Sequence, residues 1–386
     1  MKLPISYGRQ YISDEDIQAV VETLKSDYLT CGPKIPEFEQ AFCEYVNAKY
    51  SVAVCNATAA LHIAAMALGV KEGDNVICTP MTFASSANCI RFCGGNVKFV
   101  DIDHETYLLD INKLKETLSA VPKGTYKGMV LVDFAGYPHN MEEYRKVADE
   151  YGMWILEDAC HAPGAYFIDS TGEKVYCGCG KYSDITVFSF HPVKHITTGE
   201  GGMVCTQNKG YYEKMALYRT HGITHNTDKF QRKDGLWYYE MQELGYNYRI
   251  TDIQAALGTS QLRRARHNVE LRRELVKTYN EAFAGVEGIK TPFEAKNVYH
   301  AYHLYIIQIE NRKELYDYLR TKGIYTQVLY YPLNLMPYYK QFGNKEGDLS
   351  IVEDYYKHCL ALPMFPTLTA EQQQYVIDNV IKFINK

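Results

Sequence analysis

The sequence predicts an α/β protein whose larger part is built around a mainly parallel β-sheet. About seven short apolar runs occur within roughly the first 210 residues, and helical stretches separate most of them. Such alternation is typical of parallel sheets that are covered by helices on both faces. The length of 386 residues adds a third observation, because a chain of this size usually folds as two or three domains.

The predicted strands of the sheet are short and apolar, and several follow glycine-containing turns. In chain order they are Ser51–Cys55, Val76–Thr79, Val97–Val100, Met129–Val132, Trp154–Glu157, Ile185–Ser189 and Gly202–Thr206. A helix rich in small residues, Ala57–Leu68, follows the first strand directly. We therefore predict a seven-stranded sheet.

From Thr251 the pattern changes to α+β, so we predict a large domain over residues 1–250 and a smaller one over residues 251–386. The predicted elements there are a long helix Thr251–Phe283, strands Tyr302–Ile309 and Tyr325–Tyr330, and helices Lys313–Lys322, Ile351–Leu360 and Ala370–Ile384. The polar, turn-rich stretch His221–Trp237 is expected to be an exposed or partner-contacting loop.

Charge and composition exclude several classes of function. The net charge is -5, with no basic block, which argues against nucleic acid or an anionic membrane as a partner. The apolar stretch Ala57–Val70 is shorter than the ~20 residues of a membrane span, and the first residues lack the apolar core of a secretion signal. Eleven scattered cysteines suit a reducing compartment, and no metal-ligand set of zinc spacing occurs. We expect a cytoplasmic protein without a metal.

Two polar side chains follow predicted strands. Asp158 lies in I-L-E-D-A-C-H, at the carboxyl end of a strand, the edge where open α/β sheets bind ligands. Lys194 lies in S-F-H-P-V-K-H, just beyond Ser189, where partial burial would lower its pKa and make it nucleophilic. A strand-end carboxylate can also simply cap a helix, and a lysine is often a solvated charge. Together, however, they form the pair that a pyridoxal phosphate (PLP) site needs.

A phosphate site is indicated by N-A-T-A-A-L, where a helix starts directly after a strand. Its first N–H groups are unpaired and the helix dipole adds positive charge, while Thr58 and Ser189 can add hydroxyl groups. A plain Asn56 N-cap is the alternative. Phe83 could stack on a planar ring or be a core residue. The sequence contains neither G-x-x-x-x-G-K-[ST], the phosphate loop of nucleotide hydrolases, nor G-x-G-x-x-G after the first strand, the loop that binds dinucleotides. The absence of the second pattern disfavours an NAD-dependent oxidoreductase.

These motifs, with G-Y-N-Y-R-I-T-D-I-Q-A-A-L-G, resemble the DegT/DnrJ/EryC1/StrS family of sugar aminotransferases from Tyr7 to about Pro366. The resemblance implies a fold-type I PLP enzyme that acts as a homodimer with a shared active site. It implies that Lys194 bonds to the cofactor, Asp158 contacts the pyridine nitrogen and His161 lies near the phenolic oxygen. It further implies a phosphate cradle of Ala57, Thr58 and Ser189, ring stacking by Phe83, and Asn247 contributed by the other subunit.

The resemblance also implies substrate contacts. They are Tyr7, Asp27, Tyr28, Leu29 and Thr30 near the start, Arg249 for the carboxylate of the amino donor, and Val328, Leu329, Tyr330 and Tyr331 in the small domain. Leu329 departs from the family pattern, in which histidine is common, and this leaves the sugar contacts there open. Lys194 argues against the dehydratase branch, which carries histidine instead.

The reaction implied is transfer of an amino group, with glutamate as the expected donor, to the C4 ketone of a UDP-linked 4-keto-6-deoxy sugar. The implied product is UDP-4-amino-4,6-dideoxy-N-acetyl-β-L-altrosamine. Two alternatives stay open: an aminotransferase for another nucleotide sugar, of the GDP-perosamine or UDP-D-sugar type, and a non-catalytic PLP-fold regulator.

Overall fold

The computed structural model describes residues 4–232 and 234–385, and its main feature is a seven-stranded sheet. The strands in chain order are β1 (Tyr50–Val54), β2 (Asn75–Cys78), β3 (Asn96–Phe99), β4 (Tyr126–Val132), β5 (Trp154–Asp158), β6 (Tyr166–Ile168), β7 (Lys174–Tyr176), β8 (Ile185–Ser189), β9 (Gly202–Thr206), β10 (Ile223–Thr224), β11 (Glu240–Met241), β12 (Val298–Tyr299), β13 (Tyr305–Gln308) and β14 (Cys359–Leu362). The large sheet has the order β1-β9-β8-β5-β4-β2-β3, in which β9 alone runs against the others.

All seven strands predicted for this sheet are confirmed. Their bounds differ only at the ends: β4 begins earlier than predicted, at Tyr126, and β5 extends to Asp158. The three smaller sheets, β10-β11, β12-β6-β7 and β13-β14, pair antiparallel. The prediction of a mostly parallel seven-stranded sheet is therefore correct.

Helices cover both faces of the large sheet. The helices of the whole described chain, including those of the C-terminal part, are α1 (Asp14–Leu24), α2 (Lys34–Val46), α3 (Ala57–Ala67), α4 (Ser85–Phe92), α5 (Ile111–Ser119), α6 (Met141–Tyr151), α7 (Lys209–Arg219), α8 (Asp252–Leu262), α9 (Ala265–Phe283), α10 (Arg312–Thr321), α11 (Pro337–Lys340), α12 (Ser350–His358) and α13 (Ala370–Ile384). Along β5, Leu156 packs on the α3 side while Ile155 packs on the side of α5 and α6. This alternation with period two buries both faces, as expected for a three-layer α/β fold.

The C-terminal part packs around its own apolar cluster, which joins α9, α10, α13, β13 and β14. The helices predicted near Lys313, Ile351 and Ala370 are confirmed as α10, α12 and α13, and the first strand is confirmed as β13. The domain boundary between residues 250 and 251 stays a prediction. No helix among residues 4–232 and 234–385 has the length and apolarity to cross a membrane.

Two expectations for this region are wrong. Thr251–Phe283 is not one helix, because the backbone of Arg264 leaves helical geometry (φ -110°, ψ 7°) between α8 and α9. At this break the Arg264 guanidinium donates to Asp16 of α1 and to the Tyr11 carbonyl. The segment Tyr325–Tyr330 is not a strand. It makes no continuous ladder, since Gln327 forms only an isolated bridge with Ala361.

Candidate active site

A cavity of ≈ 690 Å³ lies at the carboxyl ends of the parallel strands. This is the edge at which open α/β sheets bind ligands, and the volume lies within the usual range of small-molecule pockets. The cavity is lined by Tyr7, Asn56, Ala57, Thr58, Thr82, Phe83, Ala84, Ser85, Val132, Asp158, Cys160, His161, Ser189, His191, Val193, Lys194, Glu200, Gln327, Val328, Leu329, Tyr330, Tyr331, Leu333 and Met336.

Asp158 ends β5 and lies buried in the wall of the cavity. The Ser86 hydroxyl donates to its Oδ2 at 2.6 Å, and the Cys160 N–H donates to its Oδ1 at 3.2 Å. The Thr82 hydroxyl lies 2.6 Å from that of Ser86 and extends the chain of hydrogen bonds. These two hydrogen bonds fix the position of the carboxyl group in the wall of the cavity, where its oxygens can also accept a hydrogen bond from a ligand N–H.

Lys194 lies in the loop between β8 and β9, on the same cavity. Burial lowers its pKa from 10.5 to about 8, against the opposing effects of Cys160 and Asp158. Among the residues that the structure describes, none forms a hydrogen bond with its Nζ. An amine with this pKa is partly unprotonated near neutral pH, and it can act as a nucleophile or a base.

The start of α3 provides an anion-binding surface beside Lys194. The Asn56 side chain caps the helix by accepting from the Ala59 N–H at 2.8 Å, so it leaves the earlier N–H groups to other acceptors. Gly202 keeps this end open, because a Cβ there would lie 2.7 Å from the Asn56 carbonyl and 2.8 Å from the Ala57 nitrogen. A phosphate group fits such a site.

His161 and Phe83 contribute rings to the cavity. His161 is buried, and burial together with Lys194 and His195 places its pKa well below 6.5, so its ring is neutral. Phe83 is 60% exposed, so it is not a core residue. Its open face is available to a planar ligand.

Most of the predicted site residues meet at this cavity. The ones that line it are Tyr7, Ala57, Thr58, Phe83, Asp158, His161, Ser189, Lys194, Val328, Leu329, Tyr330 and Tyr331. Six others do not: Asp27, Tyr28, Leu29, Thr30, Asn247 and Arg249. Thr30 pairs with Thr251, Asn247 with Thr220 and Arg249 with Val54 through isolated backbone bridges.

Sequence reasoning missed the hydroxyl groups that support Asp158. Thr82 and Ser86 occur in P-M-T-F-A-S-S-A-N, the segment in which the sequence predicts a site role for Phe83 alone. The spacing of four residues was a usable signal, since it places two side chains on one face of a helical turn. Gln327 and Met336 also line the cavity. Neither residue lies in a motif or spacing that would predict a place in the site.

The donor set fits PLP. A lysine of lowered pKa, a hydrogen-bonded buried carboxylate, a helix start open to phosphate and an exposed aromatic face surround one cavity. The cofactor is pyridoxal 5′-phosphate. A solved PLP form of a protein from Streptococcus pneumoniae, described as a sugar aminotransferase, is 28% identical over 99% of this chain and 98% of that chain, with a TM-score of 0.87. When bound, it supplies an electron sink for chemistry at the α-carbon of an amino acid.

Comparisons with known proteins agree with this assignment. The chain is 37% identical to the spore coat polysaccharide biosynthesis protein SpsC of Bacillus subtilis, over 97% of this chain and 96% of the relative. It is 36% identical to the UDP-4-amino-4,6-dideoxy-N-acetyl-beta-L-altrosamine transaminase of Campylobacter jejuni, with coverage of 99% and 98%. The solved structure of Helicobacter pylori PseC, an aminotransferase of pseudaminic acid biosynthesis, aligns with a TM-score of 0.90 at 30% identity over the full length of both chains.

The sequence pattern of one family extends over residues 10–381. It covers β5, which ends at Asp158, and the loop that carries Lys194, as well as most of the C-terminal part. The chain is a nucleotide-sugar aminotransferase that belongs to the DegT/DnrJ/EryC1/StrS aminotransferase family.

Proposed function

We propose that the enzyme transfers an amino group from L-glutamate to the C4 ketone of a UDP-linked 4-keto-6-deoxy-N-acetylhexosamine. The product is UDP-4-amino-4,6-dideoxy-N-acetyl-β-L-altrosamine, an amino sugar of the pseudaminic acid pathway. The observation that carries the proposal is the joining of Lys194, Asp158 and the start of α3 around one cavity. Similarity to the Campylobacter jejuni transaminase supports the choice of sugar.

Lys194 is the catalytic residue in this proposal. Its Nζ takes the proton from the α-carbon of the amino donor and later returns a proton to C4 of the sugar. A pKa of about 8 suits both steps, because the amine gains and loses a proton near neutral pH. Asp158 holds a proton on the pyridine nitrogen, and the hydroxyl chain from Ser86 and Thr82 keeps the carboxylate in position.

The remaining contacts with the cofactor are assigned from the positions of the residues around the cavity. Ala57 and Thr58 at the start of α3, with the buried Ser189 at the end of β8, hold the phosphate. When the cofactor is bound, Phe83 would stack on its pyridine ring and His161 would lie on the side of its phenolic oxygen. In this arrangement neutral donors bind the phosphate, so the net charge of the protein does not limit cofactor affinity.

The sugar nucleotide is assigned to the outer part of the cavity, between Tyr7 and Val328–Tyr331. Leu329 brings no polar group, so Tyr330 and Tyr331 supply the hydroxyl groups of that segment. These hydroxyl groups can donate to sugar or phosphate oxygens.

The predicted residues outside the cavity are assigned to the active site of a second copy. In a homodimer with a shared site, Asn247 completes the phosphate cradle of the partner, Arg249 binds the donor carboxylate, and Asp27–Thr30 approach the sugar. Large exposed apolar side chains in the segment that leads up to Asn247 in the chain support an interface of this region: Leu236, Trp237 (78% exposed) and Leu244 (72%). Apolar surface of this kind is typical of protein contacts.

The test is a pair of half-reactions with purified protein that has been saturated with PLP. Glutamate is expected to bleach the visible absorbance of the enzyme, and the UDP-keto sugar is expected to restore it and to yield an amino sugar, identified by mass and NMR. Lys194→Ala should abolish both steps, whereas Lys98→Ala, which removes an exposed amine on β3, should change neither. An active Lys194→Ala variant would contradict the mechanism.

The nucleotide and the sugar are tested separately. GDP-4-keto-6-deoxymannose and a UDP-D-keto sugar are offered under the same conditions. Product from either of these, with none from the proposed UDP sugar, would overturn the substrate assignment and leave the aminotransferase activity intact. Light scattering of the holoenzyme measures the dimer, and a monomer with full activity would contradict the shared site.

A further inference from the structure

His161 and Tyr330 approach each other across the cavity from distant parts of the chain. His161 follows β5, whereas Tyr330 follows the Gln327–Ala361 bridge of the C-terminal part. The Tyr330 hydroxyl oxygen lies 3.3 Å from His161 Nε2, and both residues line the cavity. The contact therefore joins the cofactor end of the pocket to the segment that we assign to the sugar.

The backbone determines which nitrogen of His161 carries the proton. The Ala135 N–H donates to His161 Nδ1 at 3.2 Å, so this nitrogen acts as the acceptor. Ala135 is itself held in a left-handed conformation (φ 57°), and its carbonyl accepts from the His303 N–H at 2.8 Å. A neutral imidazole carries one proton, which must then be on Nε2. His161 Nε2–H consequently donates to the Tyr330 hydroxyl oxygen.

Tyr330 keeps its own hydroxyl proton available. Burial raises the pKa of the phenol above 10, so the group stays protonated at neutral pH. Its oxygen accepts from His161, and none of the described residues accepts a hydrogen bond from it. Because the hydroxyl oxygen accepts a hydrogen bond from His161 on one side, its own O–H is directed into the cavity, where it can donate to a ligand.

Packing fixes the position of the Tyr330 ring. The ring centroid lies 6.0 Å from Phe134 and 6.3 Å from Phe83. The Tyr330 N–H points to the Met81 sulfur at 3.3 Å, and the Tyr355 hydroxyl donates to the neighbouring Leu329 carbonyl at 3.2 Å. A hydroxyl group on a ring held at this many points changes its direction little when a substrate binds.

We propose that the Tyr330 hydroxyl donates a hydrogen bond to the ketone oxygen of the acceptor sugar, and that His161 Nε2–H orients this donor. The proposal rests on the function proposed above and names a contact within it. A ketone oxygen only accepts hydrogen bonds, and it gains negative charge when an amine adds to its carbon. A fixed donor at that point lowers the barrier of the sugar half-reaction. The first half-reaction also forms a ketone, on the keto acid that leaves, but that group is positioned by the carboxylate beside it and not by the sugar segment, so the glutamate step does not depend on this donor.

The experiment compares Tyr330→Phe with the wild type in the two half-reactions, each followed in a single turnover. Phenylalanine keeps the ring and removes only the hydroxyl. The rate with glutamate should stay within about twofold, while the rate with the UDP-keto sugar should fall about 10²-fold, the usual effect of removing one such donor. Tyr316→Phe is the matched control on α10, where the hydroxyl accepts from Arg320. Equal slowing of both half-reactions, or of neither, would overturn the proposal.

A second measurement uses the wild-type holoenzyme and needs no substrate. Histidine labelled with ¹⁵N distinguishes the two tautomers, and the His161 signals are assigned by their loss in His161→Gln. We expect a protonated Nε2 and an unprotonated Nδ1; the reverse would overturn the orientation of the Tyr330 hydroxyl. If the wild type reacts with glutamate but aminates no UDP-keto sugar, the proposed substrate is wrong, and this tautomer result still decides the His161–Tyr330 pairing.

Discussion

The lowered pKa of Lys194 predicts that this residue destabilises the cofactor-free protein. The folded pKa is about 8, whereas an unfolded lysine titrates near 10.5. Below pH 8 the lysine is charged in both states, and the folded protein bears the whole cost of burying that charge. As pH rises from 8 to 10.5 the folded protein has released this proton while the unfolded chain still binds it, so stability rises with pH in this window.

The magnitude follows from the difference between the two pKa values. Linkage gives a penalty of about 3 kcal/mol at pH 7, about 2 kcal/mol at pH 9 and about 0.8 kcal/mol at pH 10. Replacing Lys194 with methionine keeps much of the side-chain volume and removes the charge. The variant should therefore be more stable than the wild type by up to about 3 kcal/mol at pH 7, and the gain should disappear above pH 10.5.

Urea unfolding of the cofactor-free proteins at pH 7, 8, 9 and 10 measures this difference in the free energy of unfolding. Lys98→Met serves as the control, because Lys98 is exposed on β3 and its removal should produce no such pH dependence. A Lys194→Met variant that is less stable than the wild type at pH 7 would refute the reasoning. So would a stability gain that is the same at every pH.

Three further predictions concern the surroundings of the site. Gly202→Ala should weaken PLP binding at least tenfold in a titration of the apoprotein, because the added Cβ would press on the start of α3; unchanged affinity would contradict the role of that cradle. Asp133 and Glu157 are buried together, and burial raises their pKa values to about 7 and about 8. The folded protein thus keeps protons that the unfolded chain releases, so stability should fall between about pH 5 and 8, and Asp133→Asn should flatten this fall in urea unfolding; an unchanged slope would count against it. Phe42→Ala should lower the free energy of unfolding by about 3–5 kcal/mol, because Phe42 is buried against Phe188 and Phe190; a loss below about 1 kcal/mol would show that this cluster is loosely packed.

Periodicity was sufficient to predict the sheet because both of its faces are buried. All five residues of β8, for example, are buried, and three of them are large and apolar. This apolar run is easy to recognise in the sequence because polar loops flank it. The helix predicted over Thr251–Phe283 failed for a different reason. Arg263 and Arg264 are good helix formers, and the break occurs where the Arg264 guanidinium bonds to the buried Asp16, far away in the chain. Such a tertiary partner leaves no mark in the local pattern.

The same limit explains how the site divides between what was predictable and what was not. Asp158 ends β5 and Lys194 follows β8, and because these strands are parallel neighbours, topology alone brings the two residues to one edge. The pairing of His161 with Tyr330 depends on a segment that forms only an isolated bridge, and the strand predicted there would have placed Tyr330 differently.

The cavity of one chain lacks Asn247 and Arg249, although both belong to the predicted site. If the shared-site proposal holds, Asn247→Ala in one subunit should impair PLP binding in the other. In a mixture of Asn247→Ala and Lys194→Ala chains, one of the two sites in each mixed dimer then carries both substitutions while the other carries neither. Activity should therefore return to about a quarter of the wild-type value, through the half of dimers that are mixed. No recovery on mixing, under conditions where subunits exchange, would place Asn247 in its own chain's site.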